Sequence, residues 1–108
     1  MTIADALQSL NTYPIADNYV EKVCIERELT CTEEYTKSIG DSQSFELASA
    51  DMYFYLSNHP SIVEQEAGIN NALAIKENML EIALTIYGKY GDPKATARSY
   101  GFRGESFN

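Results

Sequence analysis

The run NALAIKENMLEIALTIYGKY, residues 71–90, constrains the fold of this chain more than any other stretch. Ile75, Met79, Ile82, Ala83, Ile86 and Tyr90 recur at steps of three and four, which lines them along one side of an α-helix. Leu73, Leu80, Leu84 and Tyr87 form a second stripe beside the first. So wide an apolar face predicts the central helix of a bundle, with truncation of Leu80 or Ile82 unfolding the domain more readily than any surface change. Asn70 or Asn71 can cap its start, and Gly91-Asp92-Pro93 stops it, since glycine accepts the left-handed C-cap and proline cannot continue a helix. Gly88 breaks the pattern. It costs about 1 kcal/mol relative to alanine inside a helix, which implies either a loosened last turn or a close backbone neighbour.

The preceding sequence supplies partners for that face. Thr2-Ile-Ala-Asp5 has the spacing of a capping box, and Ile3, Leu7 and Leu10 follow at helical intervals, predicting a first helix over 3–10. The Tyr13-Pro14 step interrupts it and suits the first turn of a second helix over 15–28. There Ile15, Tyr19, Val23 and Cys24 share one side, with Ala16 and Val20 beside them, while Asp17, Glu21, Lys22, Glu26 and Arg27 fall on the other. Thr30 and Glu33 offer a further capping box before TEEYTKSI, and Gly40-Asp41 closes that short segment. From Ser42, Phe45, Ala48, Met52 and Leu56 trace a third long helix that ends at Asn58-His59-Pro60, and Ser61–Gly68 reads as a turn of helix or a loop. The expected architecture is all-α: a compact bundle of about four to five helices over 1–93, with 94–108 as an extended C-terminal tail of the same domain.

Chemistry is sparse. A chain of 108 residues forms one core, contains no apolar run long enough to cross a bilayer, and opens on MTIADALQSL without the basic and apolar regions of an export signal. A cytoplasmic protein that avoids membranes is expected. Cys24 and Cys31 on one continuous helix would stand roughly 10 Å apart along its axis, too far for a disulfide. A break between them would permit one, although free thiols are expected in a reducing compartment. His59, the single histidine, sits at a helix end and reads as a capping or surface residue. No phosphate loop, nucleophile elbow or helical metal motif occurs, and the paired acids Glu33–Glu34 and Glu64/Glu66 read as solvated faces. The expectation is a non-enzyme with no catalytic residue, cofactor, metal or small-molecule substrate.

Charge is more informative. The net charge is −8, and it is unevenly placed. Residues 1–88 carry four basic against fourteen acidic groups, whereas 89–108 carry Lys89, Lys94, Arg98 and Arg103 against Asp92 and Glu105. An acidic body of this kind has no basic face for a nucleic-acid backbone. The final stretch, ARSYGFRGESFN, concentrates the arginine and aromatic residues that protein interfaces favour. Arg98, Tyr100, Phe102, Arg103 and Phe107 are therefore the expected partner contacts. Burying the three rings gains roughly 11–19 kcal/mol and ordering the segment's backbone costs roughly 11–22 kcal/mol, so the rings alone do not fix it. Hydrogen bonds or charge pairs from its own body or a neighbour must contribute, and another copy of this acidic chain offers both.

The stretches ELASADMYFYLSNHPSIVEQEAG (46–68) and MLEIALTIYGKYGDP (79–93) resemble the small, mainly helical head–tail connector (adaptor) proteins of tailed phages and prophages. The resemblance covers about residues 45–93. It implies a ring-forming structural subunit that self-associates or binds other virion assembly proteins, through arms or tails docked on adjacent copies, in the cytoplasm or in an assembled virion. The acidic body supports a reading of another class, a small inhibitor or adaptor that occupies a basic protein surface as a DNA mimic.

Overall fold

The computed structural model describes residues 1–10, 13–59, 62 and 68–96. These form five α-helices and a terminal 3₁₀ turn: α1 (Ile3–Gln8), α2 (Asp17–Glu26), α3 (Lys37–Gly40), α4 (Gln43–Ser57), α5 (Ile69–Tyr90) and the turn Pro93–Thr96. The fold class is the all-α bundle that the periodicity predicts. Residues 98–108, with the five expected partner contacts, lie outside the described residues.

Local chemistry sets most of the boundaries. The Thr2 hydroxyl accepts from the Asp5 N–H and the Asp5 carboxylate accepts from the Thr2 N–H, each at 3.1 Å, completing the capping box that opens α1. These bonds hold the Asp5 carboxyl below its ordinary value, the backbone donor first and the hydroxyl second. Ser42 caps α4 through a 3.2 Å bond from the Phe45 N–H, and Gly91 closes α5 in the left-handed region at φ 66°. His59 behaves as expected of a capping residue: its Nδ1 donates to the Tyr55 carbonyl at 2.7 Å, and its ring stacks on Tyr55.

Three starts differ from the sequence reading. α2 begins at Asp17, because Ile15 is buried ahead of the helix and its carbonyl accepts from Gln8 Nε2 at 2.7 Å. The cap of α3 is Thr36 and not Thr30, with the Ile39 N–H 3.2 Å from its hydroxyl. Residues 31–35 instead form a strap against the first residues of the chain. Ile3 N–H donates to the Glu33 carbonyl at 2.9 Å, Ala4 N–H to Cys31 at 3.1 Å, and Tyr35 N–H to Met1 at 2.9 Å, around an isolated antiparallel bridge between Thr2 and Glu34. α5 starts after Gly68, whose φ of 87° makes the entry without a side-chain cap, so neither Asn70 nor Asn71 caps it.

The centre of the bundle is α4 and not α5. Phe45, Leu47, Ala48, Ala50, Met52 and Leu56 are all buried on α4. This helix packs against α1, α2, α3 and α5, whereas α5 packs on α4 and the terminal turn. Ile3 and Leu7 of α1 and Val20, Val23 and Cys24 of α2 join one side of the core, and Ala83 and Tyr87 of α5 complete the other. With one long neighbour among the described residues, α5 buries the narrow stripe Ala72, Met79, Ala83 and Tyr87 and leaves Leu73, Leu80 and Leu84 of its second stripe at the rim. Leu80, Ile82 and Leu84 are only half-buried, and Leu73 is 62% exposed. Leu56 and Leu7, both fully buried, are costlier truncations than Leu80 or Ile82. Gly88 serves neither expected purpose: α5 runs through it to Tyr90, and among the described residues nothing lies within 4 Å of where a Cβ would stand.

Candidate functional site

An aspartate interrupts the most apolar helix of the molecule. Asp51 stands between Ala50 and Met52 on α4 and is 2% exposed. A carboxylate so placed is tolerable only with its charge and lone pairs matched. Arg27, just past the end of α2, meets it with two parallel bonds, Nε to Oδ2 at 2.7 Å and Nη2 to Oδ1 at 2.8 Å. The Tyr87 hydroxyl of α5 donates to Oδ1 at 2.6 Å, and Lys94 Nζ of the terminal turn approaches the same oxygen at 3.2 Å.

The network continues into the turn. Arg27 Nη1 donates to Asp92 Oδ2 at 2.9 Å, and Asp92 Oδ1 accepts from the Lys94 N–H at 2.9 Å. The Asp92 N–H donates to the Tyr87 carbonyl at 2.9 Å. The Arg27 guanidinium and the Lys94 ammonium lie 6.0 and 5.9 Å from the centre of the Tyr87 ring, a cation–π arrangement on both. Two cations thus meet two carboxylates, and α2, α4, α5 and the last turn share one neutral cluster.

The electrostatics arise from the geometry. Burial pushes the Asp51 carboxyl up, but the bonds from Arg27 and Tyr87 and the charge of Lys94 outweigh it and hold it below the ordinary carboxylate value. The Asp51 bond raises Arg27 further, and burial, then the Asp51 bond, raises the Tyr87 phenol. Three donors converge on Oδ1 and Arg27 Nε occupies Oδ2, so the charge of Asp51 is committed within the cluster, which acts as a fastening. Its mechanical effect is to pin Pro93–Thr96, the root of the segment carrying Arg98, Tyr100, Phe102, Arg103 and Phe107, to the middle of the bundle. The next helical turn of contacts supports it: Glu46 of α4 accepts from Lys89 Nζ at 3.0 Å and from the Tyr90 hydroxyl.

A second feature is open to solvent. Between α1 and α2 lies a groove of about 290 Å³ whose apolar lining comes from Ala4, Val20 and Cys31 and whose acidic lining comes from Asp5, Asp17 and Glu21. Among the described residues no group of three or more His, Cys, Asp or Glu side chains is arranged to hold a metal ion. No helix among them is long and apolar enough to cross a membrane.

Sequence reasoning placed Arg27 on a polar helix face and did not single out Asp51, Asp92 or Lys94. One signal was available: Asp51 falls among Leu47, Ala48 and Met52 on the buried face of α4, and a charge within an apolar stripe demands a partner. Tyr87, which the periodicity placed on the second stripe of α5, is wholly buried, and its hydroxyl is consumed by Asp51.

Fold and cluster together define an all-α helical bundle with a buried ionic fastening at its last turn. The chain belongs to a family of unknown function, DUF6706, whose model matches residues 1–100. No curated protein and no solved structure matches it.

Proposed function

We propose that this chain is a non-enzymatic structural or assembly protein, of the phage or prophage head–tail connector kind, which acts by self-association and protein–protein contact in the cytoplasm or in a virion. The observation that carries this reading is the Arg27–Asp51–Asp92–Lys94 cluster. It gives the arginine- and aromatic-rich sequence after Thr96 a fixed point of departure from an acidic body, and the carboxylate-lined groove between α1 and α2 offers the complementary charge.

The test is the mass of the full chain by light scattering coupled to gel filtration across a concentration range, beside a variant carrying Arg98→Glu and Arg103→Glu. The unsubstituted chain gains mass with concentration or captures a portal or tail protein encoded beside it, and the variant does neither. Monomers in both, with no such capture, overturn the proposal.

A further inference from the structure

The reversal at the end of α2 brings together two thiols that a continuous helix would hold apart. α2 stops at Glu26, Glu28 takes the left-handed conformation at φ 63°, and the Leu29 N–H returns to the Cys24 carbonyl at 2.7 Å. Cys31, two residues beyond the Leu29 N–H that bonds the Cys24 carbonyl, therefore folds back onto the core cluster that contains Cys24. Neither is in a disulfide. They differ in access. Cys24 is fully buried, while Cys31 is partly exposed and lines the groove between α1 and α2. Burial, then the neighbouring Cys31 thiol, pushes the Cys24 thiol up to about 12, so Cys24 is the slower nucleophile of the pair.

We propose that Cys31 is an oxidation site at which a low-molecular-weight disulfide is exchanged, reversibly, into a Cys24–Cys31 bond. In the first step the Cys31 thiolate attacks one sulfur of the small disulfide. That S–S bond breaks, one thiolate leaves and takes up a proton, and Cys31 carries a mixed disulfide. In the second step Cys24 gives its proton to solvent and its sulfur attacks Cys31 Sγ. The mixed bond breaks, and the second small thiolate departs and is protonated. Two protein thiols are oxidised, and one disulfide is reduced to two thiols.

The surroundings of Cys31 select the oxidant. The groove has room beside the thiol, and Asp5, Asp17 and Glu21 make it negative. A cationic disulfide is attracted there and an anionic one repelled, an effect that salt screens. The bond also has a structural consequence. Cys31 opens the strap whose residues 31–35 hold Met1, Ile3 and Ala4, so joining it to Cys24 ties that strap to the last turn of α2.

The experiment exposes the reduced, folded full chain to cystamine or to glutathione disulfide, quenches with an alkylating agent and maps the products by mass spectrometry. Trypsin cuts after Lys22, Arg27 and Lys37, so the proposed bond joins peptides 23–27 and 28–37. The expected result is a monomer that loses two hydrogens, keeps no adduct, forms faster with cystamine than with glutathione disulfide, and reverts with dithiothreitol. The rate gap narrows in about 1 M salt, where screening acts within about 3 Å. Cys24→Ala traps the small thiol on Cys31, and Cys31→Ser, at a partly exposed position, yields no bond and serves as control whether or not the Cys24 variant folds. A lasting adduct on Cys31 of the unsubstituted chain with Cys24 still alkylatable overturns the proposal, as do dimers crosslinked through Cys31 or an absence of reaction.

Discussion

Replacing Asp51 by asparagine tests the cluster at its centre. The substitution keeps the shape of the side chain but removes the charge and turns one acceptor into a donor facing Arg27 and Tyr87, with Arg27 only 15% exposed. Breaking a buried pair from one side costs about 3–5 kcal/mol, because the remaining charge stays desolvated. The half-exposed Lys94 adds little, since solvent screens it. Against a total of roughly 5–15 kcal/mol for a domain, that loss is severe, and at about 4–8 °C per kcal/mol it lowers the melting temperature by about 12 °C or more. Urea titration followed by circular dichroism measures it directly, as a lower midpoint at unchanged slope.

The pH dependence of that difference is a second reading of the same perturbation. The folded carboxyl lies below its ordinary value of 3.8, so its contribution is complete above 3.8 and is lost as the pH falls through the lower folded value. The gap between the original chain and Asp51→Asn therefore closes on acidification. A loss under about 1 kcal/mol at neutral pH, or a gap independent of pH down to acid unfolding, refutes the assignment of Asp51 as the buried keystone.

Tyr87→Phe removes one donor to a charged acceptor while preserving the ring, so it costs about 1.5–3 kcal/mol in the same urea titration, less than Asp51→Asn. Leu56→Ala, at a fully buried site on α4, costs about 2–5 kcal/mol, and Ile82→Ala costs less because that side chain is only partly buried. Thermal unfolding of the pair ranks α4 above α5. Gly88→Ala has room for its methyl among the described residues and raises stability by about 0.5–1 kcal/mol, measured as a higher melting temperature.

What the sequence disclosed was what depends on near neighbours. The Thr2–Asp5 box, the start of α4 beside Ser42, the Gly91 stop and the helical periods of α4 and α5 are each written within a few residues, and each is present. What it did not disclose depends on distant partners. The amphipathic width of α5 predicted a central helix, yet the number of faces a helix buries is decided by how many neighbours reach it, and α4 takes them. Thr30 had the spacing of a cap, but the main chain of 31–35 found better use pairing with residues 1–4. The Asp51 cluster joins residues 24 to 65 positions apart, a separation at which a local pattern carries no information about pairing.

The same cluster alters the meaning of the charge asymmetry. Arg27 and Lys94 are spent on Asp51 and Asp92, while Lys22, Lys37 and Lys89 are each tied to a carboxylate, Glu26, Asp41 and Glu46. With these five paired, little positive field beyond that of Lys76 remains on the described surface, where Asp5, Asp17, Glu21, Glu28, Glu33 and Glu34 are exposed. A buried ionic cluster is a poor source of stability compared with an apolar one of equal volume, so its retention calls for a reason of position. The position it fixes is that of Pro93–Thr96. A fastening there fixes Pro93–Thr96 on the bundle, and the sequence Arg98-Ser-Tyr100-Gly-Phe102-Arg103 follows it in the chain. On the proposed function, loss of Asp51 is expected to weaken partner binding beyond its effect on folding, because Pro93–Thr96 would lose its attachment to α4.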